Sequence, residues 1–357
     1  MAQGRRATWR CANEGAMGLG RATQRGCVMR ETALALFVTL AAWVEATHYL
    51  ANTSARSEYL LNYYAPAVSV AAGQGFQNID LSKATAVNEF LHLKRTALSA
   101  ADLGDSLPTV KTTPFQKIHR TSMTLLGLWW RLFGVRWVAL DALLAILFAL
   151  SCLFAYGVLR LSAPWPVALA LGVALIFSPG FHYVLPQFRD FSKAPFVLGI
   201  VFACVLVVRF PMGARSLSAL ALAAGLWLGL GLGFRQDLRV YLPLAALMIL
   251  GFASGAFRTA WRGRLVACML LLGGFLAGAS PVLLDLRGAT NSSHIVALAW
   301  ASLSIACWDW AMRPMPLQTA TMTCTSIPVL QAMRPNAMGG FLRRIGHPRT
   351  MPLARGC

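Results

Sequence analysis

Residues Val135–Leu159 read VRWVALDALLAILFALSCLFAYGVL, and from Ala142 to Leu159 no side chain carries a charge. A helix needs roughly 18 to 20 such residues to cross a bilayer core about 30 Å thick. Working outward, apolar runs recur at Thr32–Leu50, Val167–Phe181, Pro195–Val208, Leu217–Phe234, Val240–Phe257 and Leu265–Leu284. They predict an all-α fold: a polytopic membrane bundle of about seven transmembrane helices with a long loop after the first.

Composition points the same way. Of 357 residues, 57% are hydrophobic and 13% charged, against about 25% charged in a soluble domain. A net charge of +19 would suggest nucleic acid in a soluble chain. Here the cations sit at span ends and in the two terminal segments, so the expected partner is a lipid bilayer and no nucleic acid. The eight cysteines make no metal-type spacing. Cys152, Cys204 and Cys268 fall inside apolar runs, where a small buried hydrophobe is the default.

The chain divides into a basic extension over 1–28, a transmembrane domain over 29–290 with a loop at 51–120, and an irregular tail over 291–357. The extension is rich in Gly, Arg and Ala and has no apolar core of a signal peptide. It resembles a transit peptide or a misplaced start, with Met29 directly before the first span as the alternative beginning. The loop carries Glu58, Asp80, Glu89, Asp102 and Asp105, the tyrosines Tyr59, Tyr63 and Tyr64, and a turn-forming Gly73-Gln74-Gly75. A chain that only had to span would join its helices with a few residues, so this loop suggests a site. Its end, Ser122–Phe133, reads as an amphipathic helix with Trp129 and Trp130 at interfacial depth.

The short connections set the orientation. Those on one side contain Arg160, then Arg209 and Arg215, then Arg258, Arg262 and Arg264, and no acid. Those on the other mix signs: Arg189, Asp190 and Lys193; Arg235, Asp237 and Arg239; Asp285 and Arg287. Because positive loops stay inside, the N-terminus is expected in the cytoplasm and the 51–120 loop outside, in the inner (plasma) membrane. The outer turns then bring carboxylates and cations to one face. A carboxylate can serve as general base, and fixed cations can hold a phosphate. The competing reading is helix-end solvation with local Arg–Asp pairing. Glu45 and His48, three apart on one helical face, form a buried pair or snorkel to the surface. Asp141 is an intramembrane acid, functional by default, or a partner of Arg136. Gly229-Leu-Gly-Leu-Gly233 precedes no strand–helix phosphate unit and reads as close helix packing.

A first span, a long outer loop with an acid near its start, and an amphipathic segment before the second span resemble the type-C membrane glycosyltransferases. These include the protein O-mannosyltransferases and the aminoarabinose and lipopolysaccharide-core transferases. The phrases that carry the likeness are Thr113-Pro114 before Leu125–Trp130, RLFGVRWVALDALLAIL (131–147), SPGFHYVLPQFRDFSKAPFVLG (178–199) and GLWLGLGLGFRQDLRVYLPLAALMIL (225–250). With the order of the apolar runs, the resemblance covers roughly Thr32–Leu284. The resemblance implies transfer of a sugar from a polyprenyl-phosphate-linked donor to an acceptor at the outer face, with no further cofactor. It makes Glu58, followed by Tyr59, the base on the acceptor hydroxyl, where the family more often has Asp. It makes Arg189, Asp190, Lys193, Arg235 and Arg239 the residues around the lipid phosphate. The family has more spans and often a soluble C-terminal domain.

Two other readings stand beside it. A transporter should show internal repeats and polar helices at the midplane; no repeat is visible, and Asp141 is the only deep charge. The chain could instead be an inactive truncated fragment. From Ala301 to Cys357 there is one acid, Asp309, and neither helical period nor linker composition. Back-translation of Trp308–Pro316 in the minus-one frame gives glycines and alanines, and continuing through Leu317 to Cys324 permits a polar, aromatic outer loop. The tail is therefore expected to be frameshifted, with the frame wrong from about Trp300 onward and a genuine disordered tail as the alternative.

Overall fold

Apolar runs become helices in the computed structural model of the chain, which describes residues 21–53, 61–104, 106–253 and 257–287. All of these belong to the first of two compact units, Met1–Ala299; the second is Trp300–Cys357. The irregular tail and most of the basic extension lie outside the described residues, as do Glu58 and Tyr59.

In chain order, α1 (Arg21–Asn52) leads into a folded loop. That loop holds α2 (Leu61–Ala71), β1 (Asn78–Ile79), α3 (Thr85–Leu91), α4 (Ala100–Leu103), β2 (Thr109–Val110), α5 (Pro114–Ile118) and α6 (Arg120–Phe133). The bundle continues with α7 (Trp137–Ser162), α8 (Trp165–Ile176), α9 (Pro179–Val184), α10 (Phe188–Phe191), α11 (Ala194–Arg209) and α12 (Ala214–Leu232). A 3₁₀ turn, Gln236–Val240, precedes α13 (Tyr241–Phe252) and α14 (Phe257–Arg287).

Among the described residues five helices are long and apolar enough to cross a membrane: Val28–Asn52, Trp137–Ser162, Phe188–Arg209, Ala214–Leu232 and Trp261–Asp285. They fit an integral membrane protein. The other two expected spans are broken. Ser178 takes an extended conformation (φ −68°, ψ 121°), as residues before proline do, so α8 stops and Pro179 opens α9. The apolar run after Val240 is likewise divided, its first residue lying in the 3₁₀ turn and its helix ending at Phe252. With 12 residues each, α8 and α13 measure about 18 Å, short of the roughly 30 Å core.

Glycine decides how α12 meets α14. Gly225 and Gly229 on one helix face Gly274 and Gly278 on the other. A Cβ added at Gly274 would lie 2.5 Å from the Leu222 carbonyl oxygen, and one at Gly278 2.6 Å from that of Leu226. A Cβ at Gly225 or Gly229 would strike the Leu271 or Phe275 carbonyl. The two backbones touch, as in small-residue membrane interfaces, and the packing expected for the Gly229 run is what the helices show.

The loop has its own core. β1 pairs antiparallel with β2, Asn78 opposite Val110 and Ile79 opposite Thr109. Gly73 and Gly75 adopt φ of +81° and +79°, the left-handed region that glycine enters freely, and turn the chain out of α2. Phe90 stacks on Trp137 at 4.6 Å, and Trp130 meets both rings edge-on at 5.8 and 6.0 Å. Trp130 is therefore core, rather than an interfacial anchor; its indole donates to the Arg136 carbonyl at 3.1 Å. At the other end of the bundle Arg160 grips Glu31 at 2.7 and 2.9 Å, tying α1 to α7. Buried Arg264 donates to the carbonyls of Leu250 and Ala253, satisfying the end of α13.

Candidate functional site

Two short helical turns build the cluster. Proline and glycine in the SPGFHYVLPQ run prevent one continuous helix, and the four-residue α10 places Arg189 and Asp190, with Lys193 just beyond. On the other turn Gly233 ends α12, and the 3₁₀ segment places Asp237 and Arg239 beside Arg235. Arg235 donates to Asp190, Lys193 Nζ lies 2.9 Å from Asp237 Oδ2, and Arg235 Nε lies 3.5 Å from Asp237 Oδ1. Two of these pairs, Arg235–Asp190 and Lys193–Asp237, join the two turns, and Arg235–Asp237 is the local Arg–Asp pairing of a helix end.

Arg189 differs from its neighbours. Its guanidinium lies over the Phe115 ring, 5.2 Å from the centroid. Among the described residues neither Arg189 nor Arg239 has a carboxylate partner. The cluster thus sets four cations against two carboxylates. Burial raises the Asp237 carboxyl, but Lys193 and Arg235 outweigh it and its pKa is lowered. Both carboxylates are partly exposed, so the cluster faces solvent rather than forming a closed network.

Behind the cations stands a buried wall from the loop. A Thr113–Gln116 capping box, with Pro114 at its first position, starts α5; this brings Phe115 and His119 to one place. The His119 ring meets Phe115 at 4.8 Å and Tyr63 at 5.2 Å, both edge-on. Its Nδ1 lies 2.8 Å from the Phe234 carbonyl, the residue before Arg235. Ser122 donates its hydroxyl to the His119 carbonyl at 2.8 Å, so Tyr63 must donate to Ser122 Oγ at 3.2 Å. Gly233 leaves no room for a Cβ, because Thr121 packs against it, and Ser122 N donates to its carbonyl at 3.2 Å. The start of α6 is therefore docked on the Arg235 turn.

Burial pushes the His119 pKa down to about 4; the Phe234 carbonyl opposes this, and Arg189 and Arg235 add to it. The ring is neutral near pH 7. Burial likewise pushes the Tyr63 hydroxyl up, which keeps it protonated.

Of the residues expected at a site, Arg189, Asp190, Lys193 and Arg235 are brought together, and Arg239 lies on the same turn without a charged partner among the described residues. Glu45 does not pair with His48, which is exposed. It faces His182 at 3.6 Å, and Tyr49 stacks on that ring at 4.5 Å. Asp141 lines a narrow cleft with Leu50, Thr53, Tyr64 and Trp137. Sequence reasoning missed His119, Phe115 and Ser122; the Thr113–Gln116 signature followed by a polar face was the available signal. It also missed the Arg120–Asp285 ion pair, which joins α6 to the end of α14. The chain matches no protein-family model, no curated protein and no solved structure.

Proposed function

We propose that the chain is a membrane glycosyltransferase that takes a sugar from a polyprenyl-phosphate-linked donor. The observation that supports this reading is the cation-rich cluster assembled from two turns distant in sequence, with Arg189 lacking a carboxylate partner among the described residues and spread on an aromatic ring. Such a cluster suits a phosphate that sits at the bilayer surface while its prenyl chain stays in lipid. The acceptor hydroxyl oxygen attacks the anomeric carbon, and Glu58 takes its proton. The bond from that carbon to the phosphate oxygen breaks, and the phosphate leaves with the electron pair. Arg189, Lys193, Arg235 and Arg239 neutralise the charge that develops there, and stabilisation of this kind is usually the largest single contribution to catalysis. Asp190 and Asp237 hold Arg235 and Lys193 in place.

The test is release of free prenyl phosphate from a polyprenyl-phosphate-linked hexose by the chain in proteoliposomes. Arg189→Gln removes a charge without orphaning a carboxylate and is expected to lower the rate about 10²- to 10³-fold. Glu58→Gln is expected to do the same or more. Turnover that survives both substitutions would overturn the reading.

A further inference from the structure

His119 is the one imidazole held at the edge of the cluster, and its two nitrogens have different fates. A carbonyl oxygen can only accept, so Nδ1 carries the proton and donates to Phe234. Nε2 is then the lone-pair nitrogen. It has no hydrogen-bond partner among the described residues. The residue is largely enclosed, His119 being only 6% exposed. Phe115 links it to the cations, since that one ring touches both His119 and the Arg189 guanidinium.

A lone pair beside two arginines selects its partner chemically. A phosphate oxygen would bring a second lone pair and be repelled. An ammonium group would be repelled by Arg189 and Arg235. A neutral hydroxyl can donate to Nε2 while a phosphate on the same ligand takes the arginines. We infer that His119 Nε2 accepts a hydrogen bond from a hydroxyl of a phosphate-linked polyhydroxylated ring. The ligand is thereby recognised as a glycosyl phosphate and distinguished from a bare prenyl phosphate. This rests on the phosphate site proposed above and adds a specificity-determining residue to it. The groups facing the ring are Tyr63, whose hydroxyl is committed to Ser122, and the charges of Arg189, Arg235 and Asp190. None of them makes a hydrogen bond to Nε2.

Two probes separate the outcomes: farnesyl phosphate, which lacks the ring, and farnesyl-phosphate-linked hexose. Each is titrated against the purified full chain in detergent by calorimetry. The variant is His119→Asn, whose side-chain amide still donates toward the Phe234 carbonyl but has nothing at the Nε2 position. The expected result is that His119→Asn weakens binding of the hexose-linked probe about tenfold, the worth of one net hydrogen bond. Farnesyl phosphate binding should stay unchanged. If the variant binds both probes as the wild type does, the His119 assignment is wrong and the phosphate site stands. If it loses both, His119 is an anchor of the fold and the assignment is again wrong. If the wild-type chain binds neither probe, the proposed function itself falls, and this inference with it.

Discussion

At the scale of residues, equal charges in the cluster have unequal freedom. Arg235 is held by Asp190 and Asp237, whereas Arg189 rests on a ring and keeps its charge unspent. The charged positions were legible in the sequence because span ends must carry them. The pairing was not, since Arg235 and Asp190 lie 45 positions apart and only tertiary packing joins them. His119 was less legible still: a single histidine between two short helices has no periodic signal. Its environment makes a stability prediction. The folded ring takes a proton only near pH 4, while the unfolded chain takes one near 6.5. The unfolded state therefore binds more protons between those values. The contribution of the neutral ring is complete above about 6.5 and is lost as pH falls toward 4, by up to roughly 3 kcal/mol. The melting temperature in detergent at pH 7.5 and 4.5 checks it. The wild type should lose about 5 °C more than His119→Asn, because every other ionisable group is common to both proteins. Equal losses would show that burial of this ring does not govern the acid limb.

At the scale of elements, the long apolar helices were readable from composition, and the α12 glycines from their spacing. The folded loop was not, because a short helix such as α3 owes its existence to the Phe90–Trp137 core rather than to its own propensity. Where spans ended was also hidden: hydropathy continues through Ser178-Pro179, but the backbone does not. The α12–α14 contact can be tested against an internal control. Gly229→Ala puts a methyl into the Phe275 backbone and should destabilise by about 1–3 kcal/mol. Gly273→Ala on α14 has nothing within 4 Å and should be neutral, or stabilising by up to about 1 kcal/mol through helix propensity. Denaturation of the purified chain in mixed micelles would distinguish them. A Gly229 variant as stable as the Gly273 variant would mean the helices do not touch as described.

At the scale of the whole molecule, contacts divide the bundle into two ends. Lys193 with Asp237, Arg120 with Asp285, and Thr121 against Gly233 place the starts of α6 and α11 and the ends of α12 and α14 beside the loop. Glu31 with Arg160 places the early part of α1 and the end of α7 at the opposite end. By connectivity, Arg209, Arg215 and Arg262 also lie there, where α11 finishes and α12 and α14 begin. Among the described residues that end has one acid, Glu31, already bound to Arg160, while the loop end carries Asp80, Glu89, Asp102, Asp190, Asp237 and Asp285. Retention of positive loops in the cytoplasm therefore predicts that the loop end faces out. In a chain cleared of native cysteines, Lys94→Cys, exposed on the loop, should react with a membrane-impermeant maleimide in intact cells. Ser216→Cys, exposed at the start of α12, should react only after permeabilisation. Among the described residues neither the Lys94 nor the Ser216 side chain makes a hydrogen bond or ion pair that the substitution would break. The reverse pattern would move the cation cluster to the cytoplasmic leaflet. The donor would then have to be presented from inside, and an acceptor outside the cell would be ruled out.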